Sequence, residues 1–124
     1  MENRSKIFYK NASEKLKKAN EELFRPQEDI VPYSVCKNSQ FAIENYLKGY
    51  LLDNKVTIIK LDTIDKLFEK CKNINPKFEK INLSDLSCKG HKKDTRYCNS
   101  IEKVSNCFDA ADSLDTLLRQ DKII

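Results

Sequence analysis

An all-α fold, an up-and-down bundle of four helices, is predicted by two features of this sequence. Only two glycines and three prolines interrupt its 124 residues, so long helices are favoured over a β-rich fold with many tight turns. Apolar residues also recur at spacings of three and four along four separate segments. The length suits one domain, residues 1–124, with a single shared core.

The first two helices are predicted from their apolar faces and their ends. The first begins at Ser5 as its N-cap and ends near Pro26. Its apolar face is formed by Phe8, Ala12, Leu16, Ala19 and Leu23. The second has Pro32 in its first turn, ends near Asp53 and is the central helix, because its stripe is wide enough to contact several neighbours. That stripe is formed by Cys36, Ser39, Ile43, Tyr46, Leu47, Tyr50 and Leu51.

Two further helices are predicted in the second half of the chain. The β-branched run 56–59 is interpreted as a loop packed on the bundle, because a single strand has no partner. Asp62 is expected to cap a third helix that ends at Asn75 and is followed by a short helical turn. The apolar residues here are Ile64, Leu67, Phe68 and Cys71, then Phe78 and Ile81 in the turn. Ser100 is expected to cap the last helix. Its stripe is formed by Ile101, Val104, Cys107, Phe108, Ala111, Leu114 and Leu118.

Composition and charge narrow the class of protein. No stretch approaches the roughly 18 apolar residues of a membrane span, and no apolar signal region follows the N-terminus, so we expect a cytoplasmic protein without a membrane partner. Five cysteines, an odd number, indicate reduced thiols. The net charge of +4, from 23 basic and 19 acidic residues, permits a local phosphate-binding patch without requiring nucleic acid.

The polar loop 84–99 contains the candidate binding site. Lys92, Lys93, Arg96 and Tyr97 come just before the last helix, where free backbone N–H groups and the helix dipole favour anions. Arg96 would offer a phosphate two parallel hydrogen bonds, the lysines would add point charges, and Tyr97 would stack on a base. The alternative is a solvated basic loop in which Tyr97 is buried and Arg96 pairs with a carboxylate.

The same loop holds residues of the types that bind zinc, but a fourth ligand is missing. These residues are Cys88, His91 and Cys98. The other cysteines, Cys36, Cys71 and Cys107, fall on apolar stripes and are interpreted as small core residues. We therefore expect no metal and no cofactor. Tyr33, Tyr46 and Tyr50 on or beside the central helix suit either the core or a symmetric interface, and we expect a homodimer.

The second helix resembles the pattern of the HEPN family, with a Gln, a small residue, a Glu and a Leu-Lys pair on one helix. Here these are Gln40, Ala42, Glu44 and Leu47-Lys48. Leu67-Phe68 and then Thr95-Arg96-Tyr97, which is similar to the family's Ala-Arg-Tyr-Pro segment, follow in the family's order over residues 8–120. The resemblance implies a helical bundle, commonly homodimeric, found beside minimal nucleotidyltransferases in toxin–antitoxin pairs or within RNA-cleaving systems.

HEPN ribonucleases have an Arg followed four to six residues later by a His, and this pair is absent after Arg96, where Ser100, Ile101 and Glu102 stand. Losing the imidazole removes the group suited to proton transfer at a ribose hydroxyl. We therefore predict a non-catalytic module that binds nucleotide or RNA, a nucleotidyltransferase partner protein, or both. The alternatives are a metal-independent ribonuclease with a degenerate site formed by Arg96 and His91, and a helical adaptor without nucleotide affinity.

Overall fold

The computed structural model describes residues 3–26, 28, 32–56, 58, 63–81 and 101–121. Over these residues the chain forms four helices and a 3-10 helix, with no strand. The helices are α1 (Asn3–Leu23), α2 (Pro32–Asp53), α3 (Ile64–Ile74) and α4 (Ile101–Gln120), and the 3-10 helix is Pro76–Lys80. The predicted all-α bundle with a short helical turn before the last helix is confirmed. None of the described helices has the length and apolarity needed to cross a membrane.

α2 is the central helix, because it packs against α1, α3 and α4. All seven residues of its predicted stripe are buried, and Val35 and Ala42 are buried with them. A helix with so wide an apolar surface needs neighbours on several sides. α1 runs antiparallel to α2, since the hydroxyl of Tyr9 near the start of α1 donates a hydrogen bond of 2.7 Å to Asp53 at the end of α2.

α1 differs from the prediction at its start. Ser5 is a buried residue inside the helix, so its assignment as the N-cap was wrong. Tyr9 lies in the core, while the predicted core residue Phe8 is only half-buried. The buried residues of this face are Ser5, Tyr9, Ala12, Leu16, Ala19 and Glu22. The adjacent aromatic positions 8 and 9 both fit helical periodicity, so the spacing alone does not choose between them.

α3 is capped by Thr63, so the assignment of Asp62 as its N-cap was wrong. The Thr63 side chain accepts a hydrogen bond of 3.3 Å from the backbone N–H of Lys66. At the other end, Asn75 closes α3 and its side chain accepts a 3.0 Å hydrogen bond from the Lys77 backbone, which starts the 3-10 helix. Asp62 and Ser100 lie outside the described residues.

The segments before and after α3, which contain Val56, Ile58 and the 3-10 helix, pack against the core. Phe78 of the 3-10 helix is buried, and its ring centroid lies 4.8 Å from that of Tyr50 and 6.4 Å from that of Phe68. Val56 and Ile58, from the predicted loop 56–59, have no regular structure and pack partly buried against the core. These contacts confirm that the short turn contributes apolar residues to the bundle.

α4 completes the core with its predicted stripe. Four of the predicted residues are buried, Cys107, Ala111, Leu114 and Leu118, and Phe108 is half-buried. Cys36, Cys71 and Cys107 are buried and none of them forms a disulfide, as predicted for small core residues. Burial raises the pKa of the Cys71 thiol to about 12, so this side chain stays neutral in the core.

Gly49 of α2 permits the close approach of α1. A Cβ atom at position 49 would stand 2.6 Å from Cε1 and 2.8 Å from Cδ1 of the Tyr9 ring. The ring has little freedom to move away, because Tyr9 is buried and its hydroxyl is held by Asp53. The absence of a side chain at position 49 therefore fixes how closely the two helices pack.

The substitution Gly49→Ala tests this contact. Alanine in a helix interior is favoured over glycine by about 1 kcal/mol, whereas overpacking a core costs about 1–3 kcal/mol. We expect the steric term to dominate and the free energy of unfolding, measured by urea denaturation, to fall by about 1 kcal/mol. In a Tyr9→Leu background, which lacks the ring, Gly49→Ala should be neutral or stabilising. A stabilising effect in the wild-type background would contradict the contact.

Candidate functional site

The basic loop predicted as the binding site lies outside the described residues. Lys92, Lys93, Arg96 and Tyr97 all belong to the segment 82–100, as do Cys88, His91 and Cys98. Their expected part in binding phosphate therefore stays a prediction. The described residues on either side of this segment are Ile81, which is buried, and Ile101, the first residue of α4.

Polar and charged side chains line a cleft between α1 and α4, with a volume of about 290 Å³. α1 contributes Ser13, Leu16, Lys17 and Asn20, and α4 contributes Phe108, Asp112, Asp115 and Arg119. Leu16 and Phe108 belong to the predicted apolar stripes, whereas none of the six polar residues was predicted to belong to a site. Cationic, anionic, amide and hydroxyl groups thus meet beside an aromatic ring.

Asp115 and Arg119 are held in place by a short chain of hydrogen bonds. The hydroxyl of Tyr46, from α2, donates to Oδ1 of Asp115 at 2.6 Å. Nε of Arg119 donates to both carboxylate oxygens, at 3.0 Å to Oδ1 and 2.9 Å to Oδ2. The Asp115 side chain is only 14% exposed, whereas that of Arg119 is 55% exposed. The carboxylate therefore orients a guanidinium group that still faces solvent.

The ionisation of this network follows from burial and from the charge of Asp115. Burial raises the pKa of the Tyr46 hydroxyl, and the hydrogen bond to Asp115 raises it further, so Tyr46 stays a hydrogen-bond donor at neutral pH. The hydrogen bond and the charge of Asp115 raise the pKa of Arg119. Partial burial raises the pKa of Asp112, assisted by the neighbouring charges of Asp115 and Asp109.

A sequence signal for this cleft exists on α4 alone. Asp109, Asp112, Asp115 and Arg119 recur at spacings of three and four, which places them along one side of the helix. Tyr46, the partner of Asp115, is 69 residues before it in the chain, and the apolar pattern around Tyr46 indicates only a core position. The network therefore becomes visible only when α2 and α4 are packed together.

The cleft has groups suited to binding a polar ligand. Lys17 and Arg119 are cationic donors, Asp112 is an acceptor, and Ser13 and Asn20 offer further hydrogen bonds. Among the described residues, no three side chains of His, Cys, Asp or Glu are placed to share a metal ion.

A comparison with models of known protein families identifies the family to which the chain belongs. The model of the HEPN domain matches residues 5–117, nearly the full length. The chain belongs to the HEPN family. This confirms the resemblance seen in the second helix and agrees with the all-helical fold, and HEPN membership indicates a module related to nucleotides or RNA. The search of curated proteins and the search of solved structures found no match.

None of the HEPN-pattern residues on α2 lines the cleft: Ala42 and Leu47 are buried in the core, and the polar side chains of the pattern make contacts within α2. The side-chain amide of Gln40 donates to Sγ of Cys36 at 3.2 Å, and Glu44 pairs with Lys48 at 3.4 Å. Tyr46 and Tyr50 are buried in the bundle, the first on Asp115 and the second on Phe78. These two tyrosines are therefore core residues and do not provide the surface for a homodimer.

Replacing the Tyr46 hydroxyl tests the network under the cleft. A hydrogen bond to a charged group contributes about 1.5–3 kcal/mol, so Tyr46→Phe should lower the free energy of unfolding by that amount in urea denaturation. Tyr9→Phe is the matched control, because Tyr9 makes a similar bond of 2.7 Å to Asp53, a solvent-exposed residue. The control should cost less, about 0.5–1 kcal/mol, because water can replace the lost hydroxyl at the exposed carboxylate of Asp53. Equal losses, or a larger loss for Tyr9→Phe, would show that the Asp115 network adds no special stability.

Proposed function

We propose that this HEPN protein is a non-catalytic module that binds nucleotide or RNA through the basic loop containing Lys92, Lys93, Arg96 and Tyr97. The observation behind the non-catalytic assignment is the position of the only histidine, His91, which comes before Arg96 and not after it. Without an imidazole after the arginine, the chain lacks the usual group for moving a proton at the ribose hydroxyl.

The charge and position of the loop support a phosphate ligand. Arg96 and the two lysines place three positive charges within five residues, shortly before α4 begins at Ile101. The first turn of a helix leaves backbone N–H groups free, and its dipole favours negative charge. An RNA or nucleotide phosphate would gain from both, while Tyr97 offers a base a stacking surface.

The proposed partners follow from the family. We propose that the chain forms a homodimer and associates with a minimal nucleotidyltransferase, as in toxin–antitoxin pairs. The supporting observation is membership of the HEPN family, because resemblance to that family implies both arrangements. The cytoplasm is the proposed compartment, and it is supported by Cys36, Cys71 and Cys107, which are buried and form no disulfide.

Titration with ATP and with a short RNA at low and moderate salt tests the loop. We expect the wild-type protein to bind and to leave the RNA intact. Lys92→Ala/Lys93→Ala/Arg96→Ala should weaken binding at least tenfold and reduce its salt dependence, because about three phosphate contacts are lost. The readouts are fluorescence anisotropy for affinity and gel electrophoresis for cleavage.

The matched control is Lys6→Ala/Lys10→Ala/Arg25→Ala, which removes the same charge from exposed positions on or just after α1. An equal loss in this control would mean that general charge, and not the loop, governs binding. No binding by the wild-type protein would favour the adaptor alternative. RNA cleavage that disappears on Arg96→Ala and His91→Ala would replace the proposal by the ribonuclease alternative.

Co-purification tests the partners. We expect a reading frame beside that of this chain to encode a minimal nucleotidyltransferase, and the two proteins to elute as one complex when co-expressed with a tag on one of them. Light scattering of the chain alone should give twice the monomer mass of 14.5 kDa. A monomer with no neighbouring nucleotidyltransferase would contradict both parts of the proposal.

A further inference from the structure

We draw no further inference here: the strongest candidate, the exposed surface of α1 between Ile7 and Phe24, carries both lysines and glutamates, and nothing in the part of the chain that the structure describes shows what covers it.

Discussion

The burial of α2 against α1, α3 and α4 is the constraint on which the other features of this structure depend. Tyr46, Leu47, Ile43 and Leu51 are all fully buried, so this helix gains most of its stability from its neighbours and not from its own hydrogen bonds. Each neighbouring helix needs only one apolar stripe, which packs against α2. The opposite faces of α1 and α4 are therefore free to hold charged residues.

Two tyrosine–carboxylate pairs fix how the outer helices align with α2. Tyr9 of α1 bonds Asp53 at the end of α2, and Tyr46 of α2 bonds Asp115 of α4. Apolar contacts are non-directional, so they tolerate sliding of one helix along another. A buried hydroxyl needs its particular acceptor, so each pair opposes such sliding. The second pair also sets the position of Arg119 at the cleft.

The chain thus presents two separate sets of cations with different origins. Those of the loop around Arg96 lie within five residues of one another in the sequence and need no tertiary structure to be recognised. Those of the cleft come from two helices, and Arg119 obtains its orientation from a carboxylate that is itself held by a third helix. Membership of the HEPN family is compatible with a role for either set of cations, and it does not by itself decide which set binds a ligand.

The sequence by itself determined the helical class and the central position of α2, because both depend on local periodicity. It also determined the helix ends near Pro26, Pro32 and Asn75, which depend largely on proline geometry. The family followed from a pattern within one helix. The sequence did not distinguish Phe8 from Tyr9 or Asp62 from Thr63, since neighbouring residues satisfy the same local rule. Only the tertiary structure decided that Tyr46, Asp115 and Arg119 form one network and that Gly49 lies against Tyr9. These contacts join residues far apart in the chain, and their partners are chosen by how the helices pack.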